Sequence, residues 1–175
     1  MGASFGAVID YLVAGYTSGA TVQVAPGSTV NVPALSTIEP TVTVSDNEPS
    51  TSSESQVVIG RTSPSSGAAG TVDWSYTELG AGRIEENYSI PGYVAVWRPG
   101  PAQKPARDAM LALTDGVVLL VHTDPTFGGI LQRGRYAVVS RVQFNQTQDD
   151  EDTAGGGYMY ACADFEITVQ NTYIP

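Results

Sequence analysis

Several residues are of the types that do chemistry. His122 and Asp124 stand two positions apart, the kind of spacing at which a carboxylate can orient an imidazole for proton transfer. The pair falls where an amphipathic pattern ends at Asp124-Pro125, however. A histidine in a last helical turn is ordinarily a partner for the negative end of the helix dipole. No nucleophile is marked by an elbow or other motif to work with it. Cys162 lies between Ala161 and Ala163 in an alternating stretch with no marked basic neighbour, which predicts a packed thiol. Asp149, Asp150, Glu151 and Asp152 offer the oxygen ligands that calcium or magnesium prefers, but four consecutive acids do not have EF-hand spacing and read as a solvated run. Gly155-Gly156-Gly157 follows those acids, so a phosphate cradle there would set anion beside anion. Glu85 and Glu86 are adjacent in a strand-like stretch, point to opposite faces and cannot act as paired carboxylates. The expectation is a chain with no catalytic residue, no cofactor and no metal site.

Charge and composition point the same way. Acidic residues number 18 against 8 Lys and Arg, a net charge of -10, which is the wrong sign for neutralising phosphates. It suits a surface past which DNA slides without adhering. Hydrophobic residues make up 42% and charged residues only 15% of the 175, so uncharged polar side chains must supply much of the surface. Such a surface packs readily on other protein. One cysteine excludes an internal disulfide, and the opening Met1-Gly2-Ala3-Ser4-Phe5 lacks a basic stretch followed by an apolar run. No stretch approaches the ~20 apolar residues that span a bilayer. The reading is a protein without a membrane association, staying where it is translated.

The elements that would carry these residues are readable from periodicity. Phe5, Val8, Ile9, Leu12, Val13 and Tyr16 keep helical spacing, with Ser4 placed as an N-cap, and predict a short opening helix ending near Gly15 to Gly19. Residues 20–40 are Thr-, Val-, Pro- and Ser-rich and predict edge strands or an extended arm. Thr41 to Val44 and Gln56 to Ile59 predict strands. Residues 62–82 read as an extended loop that either folds back on its own domain or docks on a neighbour. Ile84 to Trp97 predicts a long strand broken at Pro91-Gly92 by a bulge or bend. The main helix is expected from Ala102 or Pro105 to His122. Two long strands close the chain around a loop at 146–157. On the first, Tyr136, Val138, Ser140, Val142 and Phe144 form the mainly apolar face. The sum is a single α+β domain over 1–175: a mostly antiparallel sheet with a long C-terminal hairpin, packed against one main amphipathic helix and a short N-terminal helix.

Both helices look two-faced. The main helix turns Ala106, Ala109, Met110, Leu113, Val117, Leu120 and Val121 inward, yet Leu111 and Val118 sit among its outward Lys104, Asp108, Asp115 and His122. On the opening helix, Gly6, Ala7, Tyr11 and Ala14 face away from the apolar stripe with Asp10 as the only charge. Trp74 and Tyr76 occupy a stretch that a purely solvated loop would not furnish with aromatics. Leu111, Val118, Tyr11, Trp74 and Tyr76 are therefore the candidate subunit-interface residues. The acids Asp149 to Asp152 form a candidate lumen-facing loop.

The segments Val8-Ile9-Asp10-Tyr11-Leu12-Val13-Ala14, Gly82-Arg83-Ile84-Glu85-Glu86-Asn87-Tyr88-Ser89-Ile90, Ala106-Arg107-Asp108-Ala109-Met110 and Asp124-Pro125-Thr126-Phe127-Gly128-Gly129, taken in this order, resemble tail terminator proteins of long-tailed siphophages, especially those of actinobacteria. The resemblance spans most of the chain and implies a virion protein assembled in the host cytoplasm. It implies a closed ring, usually a hexamer, that caps the tail tube and joins it to the head. Its implied partners are copies of itself, the tail tube protein and a head-completion or connector protein, with DNA passing through the lumen. Residues 20–40, 62–82 and 146–157 are longer than the compact form of that family. A head-completion connector or a tail tube subunit is the alternative within structural proteins. A tube protein is more often nearly all-β, and the helix ending at His122 argues against it. A metal-dependent or acidic hydrolase is the alternative from another class, and it would need its carboxylates gathered in one cleft.

Overall fold

The computed structural model describes residues 3–46, 55–61, 74–79, 83–100, 102–131, 135–145 and 158–173. The order is α1 (Ala3–Ser18), β1 (Ala20–Ala25), β2 (Ser28–Val32), a 3-10 turn at Leu35–Thr37, β3 (Val42–Asp46), β4 (Ser55–Ile59), β5 (Trp74–Leu79), β6 (Arg83–Pro99), α2 (Gln103–Thr123), β7 (Tyr136–Asn145) and β8 (Tyr158–Tyr173). A six-stranded sheet runs β3-β4-β6-β8-β7, with β5 also on β6, and β1-β2 form a separate ribbon. Only β3 and β4 pair in parallel; the other pairs are antiparallel. The α+β reading with its closing hairpin and two helices is the fold observed.

Both helices lie on one face of the sheet. In β8, Met159, Ala161, Ala163, Phe165, Ile167 and Val169 are all buried there, and the intervening residues point the other way. They meet Val8, Ile9, Leu12 and Tyr16 of α1 and Ala106, Met110, Leu113, Val117, Leu120 and Val121 of α2 in one cluster. This is the inward stripe expected of each helix. On the opposite face Val58, Tyr93, Ala95 and Cys162 form a smaller cluster, flanked by Trp97 and Tyr160 with ring centroids 5.0 Å apart. Cys162 is buried within it, a packed thiol as expected.

Several expectations need correction. Pro91-Gly92 does not break β6. Its register with β8 passes through Pro91 opposite Glu166 and Gly92 opposite Phe165 without a shift. The other flank of β6 explains why proline is tolerated: β5 pairs only as far as Tyr88, and β4 begins at Gly92. The Pro91 carbonyl faces that flank, accepting from the Gly60 amide at 2.7 Å, so the missing Pro91 donor also faces the seam and costs no bond to β8. Gly92 is required by crowding: a Cβ would lie 2.3 Å from Phe165 Cζ and 2.8 Å from the Val58 carbonyl oxygen.

Ser4 is no N-cap. It lies inside the first turn of α1 and its hydroxyl donates to Glu86, a carboxylate 1% exposed on the helix-covered face of β6. That anion beside the first turn suits the positive end of the α1 dipole. Of the two readings of residues 20–40, strands are observed: the β1–β2 ribbon contributes Val22 and Val32 to the core, and Leu35 of the 3-10 turn joins them. Arg98 at the end of β6 holds this region, pairing with Glu39 and donating to Ser55 Oγ at 3.2 Å. The stretch read as a loop at 62–82 contains β5, which pairs with β6; residues 62–73 and 80–82 lie outside the described residues.

The face assignment of β7 is also corrected. Ala137 and Val139 point into the core, while Tyr136 and Val138 are exposed at 50% and 36%. An irregularity between Val139 and Arg141 then inserts Ser140, and Val142 becomes the next inward residue. One extra residue reverses the alternation, as a β-bulge must.

Candidate assembly surfaces

The expected interface residues fall at three separate places. Leu111 is on the outward face of α2 at 37% exposure, whereas Val118 is partly covered. Leu119, which the sequence reading did not single out, is more exposed at 44%. Its spacing of eight residues from Leu111 was the available signal, since two turns of helix bring both to one side. Around them Lys104 pairs with Asp108, and that bond holds the Asp108 carboxyl below its ordinary range. Asp115 and His122 are exposed on the same outer side, and His122 stands in the last turn of α2, where a basic group suits the dipole.

Tyr11 is engaged within the chain. Its hydroxyl donates to Asp124 Oδ2 at 2.6 Å, and its ring lies 5.8 Å from that of Phe127. Burial, followed by the bond to Asp124 and the charge of that carboxylate, raises its ionisation above the ordinary phenol value. Asp124 is 6% exposed and fully used: it also accepts from the Thr126 amide at 3.2 Å, the Thr126 hydroxyl at 2.9 Å and the Gly128 amide at 2.5 Å. Proton transfer with His122 has no support here, because the carboxylate is turned to the loop that follows it. The loop needs this anchor. Phe127 is wholly buried at φ 51°, and Gly128 and Gly129 continue in the left-handed region at 66° and 84°. The Pro125 carbonyl then accepts from the Ala137 amide at 2.8 Å, tying the turn to the start of β7. The Asp-Pro-Thr-Phe-Gly-Gly motif is thus a structural clamp joining α1, α2 and β7.

Trp74 and Tyr76 lie on β5, opposite Tyr88 and Glu86 in register. Asp149, Asp150, Glu151 and Asp152 lie outside the described residues. The structure does not gather the expected residues into one patch. It does leave Tyr136, Val138 and Phe144 of β7 exposed, the last at 55%, and Val24 and Val30 of the ribbon at 50% and 40%. Among the described residues no three His, Cys, Asp or Glu side chains are grouped to hold a metal, and no described helix is long and apolar enough to cross a membrane.

The fold and these surfaces define an α+β domain with uncovered apolar side chains on its outer helix face and on one sheet edge. No protein-family model matches the chain, and a search of curated proteins finds no match.

Proposed function

We propose that the chain is a structural subunit that assembles with copies of itself, in the manner of a siphophage tail terminator: a ring, hexameric in the resembling family, that caps the tail tube and joins it to the head. The observation that carries this reading is the pair of surfaces on which large apolar side chains stay exposed outside a closed core. Leu111 and Leu119 stand on α2, whose other face already fills the core, and Tyr136, Val138 and Phe144 stand on β7. On β7 the register turns Tyr136 and Val138 to the face away from the helices and Phe144 to the helix-covered face, so the three flank a bare strand edge, where large apolar side chains suit a protein contact. The segments that carry the family resemblance supply the ring and its neighbours, the tail tube protein and a head-completion protein. With a net charge of -10, the lumen would pass DNA without holding it.

Mass measurement of the purified chain across concentration, with negative-stain images, tests the proposal. A defined oligomer with a central lumen is expected. A chain that stays monomeric at all concentrations and shows no ring in the images removes the reading.

A further inference from the structure

The outward face of α2 carries its charges unevenly along its length. Lys104, Arg107 and Asp108 are exposed on the N-terminal half. Both cations pair with the single carboxylate of Asp108, so this half keeps one positive charge unbalanced. One turn past Leu111 stands Asp115, which is exposed, and among the described residues no Lys or Arg pairs with it. The apolar side chains between these charges also remain uncovered: Leu111 and Leu119 are exposed although the other side of α2 fills the core.

Arg107, Leu111 and Asp115 lie four residues apart and so form a single row, each step rising about 6 Å along the helix. Read in the other direction, the row runs anion, leucine, cation. Laid antiparallel against a copy of itself, it sets Arg107 beside the partner's Asp115 at both ends, with Leu111 beside its own counterpart in the middle. A parallel copy would set Arg107 on Arg107. Rows of residues four apart pack side by side where two helices cross at about 50°. Ala112, exposed and small, leaves room beside Leu111 for a second leucine.

We propose that two copies of this chain pair through the outer face of α2, with the helices antiparallel about a two-fold axis that passes beside Leu111. The charge pattern selects the occupant, because the row Arg107-Leu111-Asp115 is its own complement and each cation–anion contact occurs twice. Exposed ion pairs are individually weak, so the leucines supply the apolar contact while the charges fix direction and register. The contact uses neither edge of the sheet and leaves β7 to a different neighbour. It goes beyond the ring reading and does not rest on it: alone it gives a dimer, and with a ring it joins two rings face to face.

Two complementary sets of variants test it in the full chain by mass measurement across concentration. Arg107→Glu alone and Asp115→Arg alone each place like charges at both ends of the row, and each should need a roughly tenfold higher concentration to pair. An equal mixture of the two should pair at the wild-type concentration, because every contact between unlike chains again sets a cation beside an anion. Leu111→Glu and Leu111→Lys form the second set, for use if a reversal at 107 or 115 lowers the melting temperature. Each repels itself on the axis, and only their mixture should join, since a two-fold contact is what brings residue 111 onto itself. A wild-type oligomer whose mass is unchanged in the variants, or folded variants that mixing does not restore, would overturn the α2 pairing and leave the ring reading standing. A wild-type chain that remains monomeric at all concentrations overturns both.

Discussion

Glu86 is the most exacting single residue in the core. Its carboxyl is buried on the helix side, takes the Ser4 hydroxyl, and stands in a row with the buried Asn171 of β8. Ser4→Ala should cost about 1–3 kcal/mol, since it strips a buried charged group of a partner. Denaturant midpoints measure this, and an unchanged midpoint would show that water replaces the hydroxyl. The tyrosines set a pH limit. Burial raises Tyr16 and Tyr160, and burial with the Glu86 charge, opposed by the Ser4 hydrogen bond, pushes Tyr88 up to about 12. Each must stay protonated in the folded chain but ionises near 10 when unfolded, so above that pH the folded state binds more protons and stability falls as pH rises. Stability from these groups is complete below pH ~10 and is lost as pH rises above it, for Tyr88 through about 12, so urea midpoints measured from pH 8 upward should hold to ~10 and then decline. Gly92→Ala places a methyl against Phe165 and the Val58 carbonyl, and a loss of about 1–3 kcal/mol is expected by the same measurement.

At the scale of elements, α2 was the most legible because its inward residues keep a 3.6-residue period and all face one sheet. Leu113→Ala or Leu120→Ala should each cost about 2–5 kcal/mol, both side chains being wholly buried. Leu111→Glu with Leu119→Glu should instead leave the melting temperature close to wild type and weaken assembly, as read by mass measurement. A double variant that melts like a core truncation would show that this face packs within the chain. The strands were legible in extent but not in facing. Ser140 inverts β7 as one extra residue against β8, and its hydroxyl meets the Glu166 carbonyl at 3.3 Å and accepts from Thr168 at 2.8 Å, partners 26 and 28 residues away that no local pattern reveals. Pro91 misled for a similar reason, since its effect depends on which flank its absent donor faces. Of the candidate interface residues, the exposure of Leu111 was readable from its helix position. Tyr11 was not, because its partner Asp124 is 113 residues distant.

For the molecule as a whole, runs of one charge sign are visible in the sequence, but only the folded chain shows how distant runs meet, Arg98 pairing with Glu39 and Arg135 with Glu85. The acids at 149–152 add a further dense negative charge. Replacing all four by Asn or Gln should leave ring formation intact, and if they line a lumen it should slow DNA ejection at low salt with the difference fading as salt rises. Equal ejection rates across salt would assign them no role toward DNA.

The seam at Pro91 has a consequence for how the protein opens. One flank of β6 is held by β8 along its full length, while the other is divided between β5 and β4 with Ser89 and Ile90 between them. Amide protons bridging β5 to β6 can therefore exchange with solvent without releasing those bridging β4 to β6, and neither event exposes the β6–β8 ladder. Deuterium uptake should resolve three protection levels on a single 17-residue strand.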